Sequence, residues 1–217
     1  MGTCRVRPPR RATALPVDRT PARRVRPGLA RLWWQGVTHP RRAMRALREL
    51  HGAGPGLRAV LIRFTVTDAL ETLPLALLGR LPFRPTRLPV PAERHYPVQS
   101  VLLPAYGLAV WLLMGSAGHL TLRLAGRTSR LDAVLNVVGL GMLVPMPPLW
   151  AADVALVAAD RFRLPELGVT HLVAELWEVA LFAVGLREVL DVPARPALVL
   201  GLGLGGVYVA AVSPVLR

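Results

Sequence analysis

Long apolar runs, separated by short segments of Arg, Pro and Gly, constrain this chain more than any other feature. Four of them cover about 98–122, 131–158, 169–188 and 196–214. A helix of about 20 residues crosses a hydrocarbon layer roughly 30 Å thick. A soluble domain of this length would spread its charges along amphipathic elements. Here 53% of residues are hydrophobic, the mean hydropathy is +0.41, and the charges gather between the runs. The expected fold class is all-α: an integral membrane bundle of about five transmembrane helices with an N-terminal interfacial helix.

The fifth span, first in order, is expected over about 57–79. It is the least clean, because it holds Arg58, Arg63, Asp68 and Glu71. If it only lies on the surface, four spans remain and the C-terminus moves inside. Span three contains Pro145, Pro147 and Pro148, which remove three backbone donors. That predicts a kink or break, with a re-entrant pair of half-helices as the alternative.

The chain divides into a disordered tail (1–30), an amphipathic interfacial segment (31–56) and the transmembrane domain (57–217). The tail holds Arg, Pro and Thr, with too few large apolar residues to offset the entropy of ordering. No apolar stretch of signal-peptide type occurs in it, so the first span is expected to direct insertion. In 31–50, Arg41, Arg42, Arg45 and Arg48 interleave with apolar positions. Ala43, Met44, Leu47 and Leu50 share a helical face. Together with Trp33 and Trp34 this suits the headgroup layer, although an ordinary solvated helix has the same pattern. Gly52, Gly54, Pro55 and Gly56 read as a hinge.

The net charge is +14, and every basic residue is Arg. In a soluble protein this would suggest nucleic acid; beside apolar spans it suggests anionic lipid. A chain rich in Ala, Arg and Pro with no Lys also carries the codon bias of a GC-rich genome, which accounts for most of the excess. With the N-terminus in the cytoplasm, eighteen Arg fall inside and seven outside. The asymmetry predicts an inner-membrane protein with its N-terminus cytoplasmic and its C-terminus outside. The one cysteine, Cys4, excludes an intrachain disulfide and a Cys-based metal site.

Three stretches resemble the Yip1 domain family of small polytopic membrane proteins, in its bacterial form. The first is the basic turn Leu124-Ala125-Gly126-Arg127-Thr128-Ser129-Arg130 leading into a span that ends in prolines. The second is His171 through Glu178, with Trp177 on the helix. The third runs from Val184-Gly185-Leu186-Arg187-Glu188 to Arg195-Pro196-Ala197. Trp33-Trp34 followed by His39-Pro40-Arg41 also resembles the start of bacterial members. The resemblance covers roughly 31–214, and departs from the family in the acidic first span and the long Arg-rich extension. It implies five spans, a cytoplasmic N-terminus and no enzymatic activity. Eukaryotic relatives help membrane traffic through small GTPases, a role that a bacterial chain does not inherit.

The sharpest polar constellation is His171, Glu175 and Glu178, at i, i+4 and i+7 on one face of span four. Imidazole and carboxylates in a bilayer can bind a cation or relay protons. A structural polar face explains the same spacing. Asp68 and Glu71 on span one, with Thr65, Thr67 and Thr72, predict a polar stripe toward the bundle. If they met the span-four carboxylates, like charges would need a cation or an Arg between them. Asp153 could join the same group, while Asp160 and His119 read as interfacial. Gly201-x-x-x-Gly205 allows close helix approach, within the bundle or in a homo-oligomer.

No phosphate loop, dinucleotide fingerprint, nucleophile elbow or zinc-protease motif occurs. No catalytic residue, cofactor or nucleic-acid partner is expected. The expected function is a scaffold, adaptor or membrane-organising factor. Its surface would be Trp33, Trp34, Arg41, Arg42, Arg45, Arg48, Arg127 and Arg130, facing anionic lipid or a protein partner. The alternative is a small-ion or proton transporter using His171, Glu175, Glu178, Asp68 and Glu71.

Overall fold

A computed structural model describes residues 27–82, 90–159 and 164–212, with only the backbone of Leu164, Pro165 and Glu166. Most of the tail, Asp160, and the Arg-rich part of the loop before span two lie outside the described residues. The described residues are helical, with no strand among them: α1 (Leu29–Thr38), α2 (Pro40–Arg48), α3 (Gly54–Thr67), α4 (Leu73–Leu77), α5 (His95–Leu124), α6 (Leu131–Leu143), α7 (Met146–Ala158), α8 (Leu164–Leu190) and α9 (Ala194–Val212). A π-turn, Asp68–Thr72, joins α3 to α4 without a break.

Four helical stretches are long and apolar enough to cross a membrane: Ala92–Leu124, Leu131–Ala158, Leu167–Leu190 and Ala194–Val212. The charged α3–α4 stretch is not among them. The chain is therefore an all-α, multi-pass membrane bundle.

The centre of the bundle is α6. Every residue from Ala133 to Met146 is buried. A helix apolar on all sides belongs inside a core, and past Asp132 in its first turn this one is built of Val, Leu, Gly, Ala and Met with Asn136 as its polar exception. The outer helices turn apolar side chains outward instead. Leu112, Leu113 and Leu120 on α5, Leu172, Val173 and Leu176 on α8, and Leu198, Val199 and Leu202 on α9 are exposed. That is the distribution expected when the surrounding solvent is hydrocarbon.

Span three breaks where its prolines require it, but it does not fold back. Pro148 cannot supply an N–H to the carbonyl of Val144. The indole Nε1–H of Trp33 donates to that oxygen instead, at 3.2 Å. α7 then continues onward, so the re-entrant alternative does not hold. α3 and the π-turn run beside α6 and α7, while α4 packs against α5. The neighbours, in order, are Gly52 and Asp132, Gly56 and Asn136, Arg63 and Met142, Thr67 and Trp150, then Glu71 and Asp153.

The expected hinge is instead a fastening. Gly52 N–H donates to Asp132 Oδ2 at 2.7 Å, and Gly56 N–H to Asn136 Oδ1 at 2.8 Å. Asn136 Nδ2 returns a bond to the Gly52 carbonyl at 2.9 Å. A Cβ at Gly139 would lie 2.5 Å from the Gly56 carbonyl oxygen, so α3 and α6 touch backbone to backbone. Gly201 and Gly205 play a similar part on α9. A Cβ at Gly205 would reach 2.6 Å from Val179 of α8, which places this small-residue face inside the bundle.

α2 begins at Pro40, whose fixed φ suits the first helical position. The apolar face it forms packs against protein. Ala43, Met44 and Leu47 are buried in one cluster with Leu32, Val137, Leu140, Val144, Leu181 and Val189. α2 caps one end of the bundle against α8, and α1 leads to it from beside the proline break of span three.

Candidate functional site

The polar residues within the bundle form two groups. The first centres on Arg63. Its side chain is buried on the inner face of α3, and the guanidinium donates to Glu178 Oε1 at 2.6 Å and to the Met142 carbonyl at 2.7 Å. It also donates to the Tyr208 hydroxyl and lies over that ring, 4.8 Å from its centroid. Four helices thus converge on one cation. Met142 lies among the carbonyls around the proline break, so span three helps to build this centre.

The second group lies nearer the far end. His171 Nε2 is 3.2 Å from Asp153 Oδ2, and Asp153 is fully buried while the His171 side chain is 44% exposed. The π-turn that carries Glu71 packs against α7, close enough for the charges of Asp153 and His171 to act on the Glu71 carboxyl. The π-turn places it there. Pro74 has no N–H for the Leu70 carbonyl, and the Leu73 N–H reaches back to the Asp68 carbonyl. Such single π-turns are frequent at functional sites. Asp153 Oδ1 and Asp68 Oδ1 are buried with no hydrogen-bond partner.

The structure therefore brings together Glu71, Asp153 and His171. It assigns Glu178 to Arg63. Glu175 is half-buried, near enough for its charge to act on His171, Glu178 and Tyr208. Asp68 makes no bond to the other carboxylates. Of the expected stripe, Thr67 and Thr72 are buried but Thr65 is exposed. Among the described residues no three His, Cys, Asp or Glu converge as a metal set. Asp153 was the residue that sequence reasoning undervalued. Its signal was its place on the helix after the proline break, at the depth where span four carries His171.

At the opposite end, the basic surface is partly spoken for. Arg45 Nε donates to Glu188 at 2.6 Å, with Arg41 at 3.9 Å from the same carboxylate. The hydrogen bond and charge of Glu188 hold the Arg45 guanidinium still further above its ordinary pKa. Arg48 forms a two-pronged pair with Asp191, and Arg130 one with Asp132. Arg41, Arg45 and Arg48 join α2 to the end of α8, and the Arg130 pair is local to the start of α6. Arg42, Arg123 and Arg195 are exposed and Arg127 is half-exposed, and none of the four pairs with an acidic side chain among the described residues. Trp34 is 58% exposed, whereas Trp33 is held by Val144. His119 reaches Ser129 of the basic turn at 3.1 Å.

A basic turn opening a proline-broken central span, with a Trp-bearing α8 against it, is what the sequence likeness rested on. The Yip1 domain model matches residues 34–213. The chain belongs to the Yip1 domain family. Comparisons with characterised proteins and with solved structures found no match. The Yip1 match spans the cap from Trp34 onward and all the helices that follow, so the acidic α3–α4 stretch is part of the domain rather than an addition to it.

Proposed function

We propose that this Yip1-family chain is a five-span, non-enzymatic organiser of the bacterial inner membrane, with its basic end cytoplasmic and its immediate ligand an anionic lipid headgroup. The fifth span is α3–α4. Gly54–Leu77 would extend about 36 Å as a helix, enough for the hydrocarbon layer. Leu57, Leu61, Ile62, Leu70 and Leu73 face outward, with Arg58 exposed one turn from the start of the span and Thr65 further along, while Arg63 points inward to Glu178.

The observation that carries the lipid reading is the set of Arg42, Arg123, Arg127 and Arg195, contributed by α2, the end of α5, the turn after it and the start of α9. They lie at one end of the bundle without an acidic partner among the described residues. Arg fits planar, two-pronged recognition of phosphate. The same asymmetry favours that end inside. A transport role has less support, because Glu178 is already engaged by Arg63.

The test is native mass spectrometry of the full chain released from micelles with mixed lipids. The wild type should retain phosphatidylglycerol over phosphatidylcholine. Replacing Arg42, Arg123, Arg127 and Arg195 together by Gln should abolish that preference. Equal retention by the two proteins would overturn the lipid reading.

A further inference from the structure

Beyond the lipid-organising role, we infer that Glu71, Asp153 and His171 form a proton-binding site within the membrane, loaded from the end opposite the basic cap and closed at its inner side by Arg63.

The geometry has three parts. The entrance is His171, four residues inside the start of the apolar span Leu167–Leu190, or about 6 Å in depth. Its imidazole is half-exposed on one side and bonded to Asp153 on the other. The receptor is the facing pair of Asp153 and Glu71. Asp153 is sealed from solvent, and its Oδ1 has no donor. A buried acceptor without a partner is costly, and two facing carboxylates in a low dielectric repel. One added proton, shared between the two carboxyl groups, supplies the missing donor and removes the repulsion. The stop is Arg63. A permanently charged guanidinium fixed by Glu178, Met142 and Tyr208 repels an arriving proton, as positive groups do in proton-excluding pores.

The transfer balances simply. A proton from solvent adds to Nδ1 of His171, and the Nε2 proton moves to Asp153 Oδ2. The imidazole is left neutral in its other tautomer. Asp153 passes the proton on to the Glu71 carboxylate, whose O–H then donates to the unpartnered Asp153 Oδ1. The half-exposed ring regains its Nε2 proton by losing Nδ1–H to solvent and taking one back, and the site has gained one positive charge. The other ionisable groups around it are Asp68 on the π-turn, Glu175 and Glu178 on α8, Arg63 on α3 and Tyr208 on α9. α5 brings His95 and Tyr96 to the same end of the bundle. Because the path ends at Arg63, the site binds protons without conducting them, which separates it from a transporter.

The experiment is an infrared pH titration of the full chain in lipid, read at the carboxylic C=O stretch. The wild type should show a reversible carboxylic band. Glu71→Gln and Asp153→Asn, both close to isosteric, should each abolish that one band, because the proton is shared. Glu175→Gln should leave it. A band that survives both of the first two changes, or that disappears only with Glu175→Gln, would overturn the site. Replacing choline by sodium should not alter the band; a sodium-dependent loss would make the ligand a metal cation and overturn the assignment. His171→Gln touches only the half-exposed entrance, and keeps the test informative if a carboxyl variant fails to assemble. After a pH jump it should delay the band at least tenfold without removing it, and an unchanged rate would overturn the entrance. Proteoliposomes holding a pH gradient should show no added proton leak, and a leak would overturn the closed inner side.

Discussion

Arg63 on α3 and Glu178 on α8 meet at 2.6 Å, with their side chains only 5% and 3% exposed. Neither helix could carry its charge alone into hydrocarbon, where each ionised group is expensive. Packed together they neutralise one another, and the Met142 carbonyl and Tyr208 hydroxyl satisfy further positions of the guanidinium fork. α3 is therefore tied to the most buried helix, α6, and to both C-terminal helices.

Breaking that pair from one side should be worse than removing it. Arg63→Met or Glu178→Leu alone leaves a buried charge unpartnered, a loss on the order of 3–5 kcal/mol. The double variant replaces the pair by apolar side chains of similar length. In a detergent thermal melt followed by size-exclusion fluorescence, it should unfold closer to the wild type than either single variant. A double variant as unstable as the sum of the singles would show that the two residues act independently.

The fold was legible where the solvent decided it. Apolar runs of 19 residues or more cannot hide in a chain of this size, and the helices at Ala92–Leu124, Leu131–Ala158, Leu167–Leu190 and Ala194–Val212 follow them closely. The break at Pro145 was legible for the same reason, since a missing N–H is a local fact. Partners were not. Met44 and Leu47 show one apolar face whether they meet lipid or Leu181, and spacing cannot tell the two apart. Glu178 shares a face with His171, yet its partner Arg63 lies more than a hundred residues away. The site is set by which helices adjoin, and a single sequence carries only the faces.

A crossing α3–α4 makes a topology prediction. With Cys4→Ala as background, a cysteine at Leu78 should react with a membrane-impermeant maleimide from outside intact cells. A cysteine at Ala53 should react only after the cells are opened. Labelling of both positions from the same side would mean that the stretch does not cross, and the four-span arrangement would stand.

The contact between Gly56 and Gly139 should be the least tolerant packing site in the bundle. A methyl group at Gly139 would meet the carbonyl oxygen and Cα of Gly56, at 2.5 and 2.6 Å, and backbone cannot swing aside as a side chain does. Gly139→Ala should lower stability by about 1–3 kcal/mol, the usual range for overpacking. Gly203→Ala, on the open face of α9 with nothing within 4 Å, is the matched control and should melt within error of the wild type. Equal melts for the two would mean that α3 and α6 are less closely seated.

Asp191 should be replaceable at a gain. It follows the end of α8 with φ +53°, the left-handed conformation that an L side chain resists by roughly 1–2 kcal/mol. The Val192 N–H closes back to the Leu186 carbonyl, one residue further than the bonds Arg80 and Arg127 make past the left-handed Gly79 and Gly126. What Asp offers in return is its pair with Arg48, but those side chains are 54% and 68% exposed. Exposed pairs contribute about 0–1 kcal/mol. The backbone term is therefore the larger, and Asp191→Gly should raise the thermal midpoint. Arg48→Ala alone should lower it slightly, and adding Arg48→Ala to Asp191→Gly should cost almost nothing further. If Asp191→Gly destabilises the protein, and Arg48→Ala does so equally, the ion pair and not the turn is what holds α2 to the end of α8.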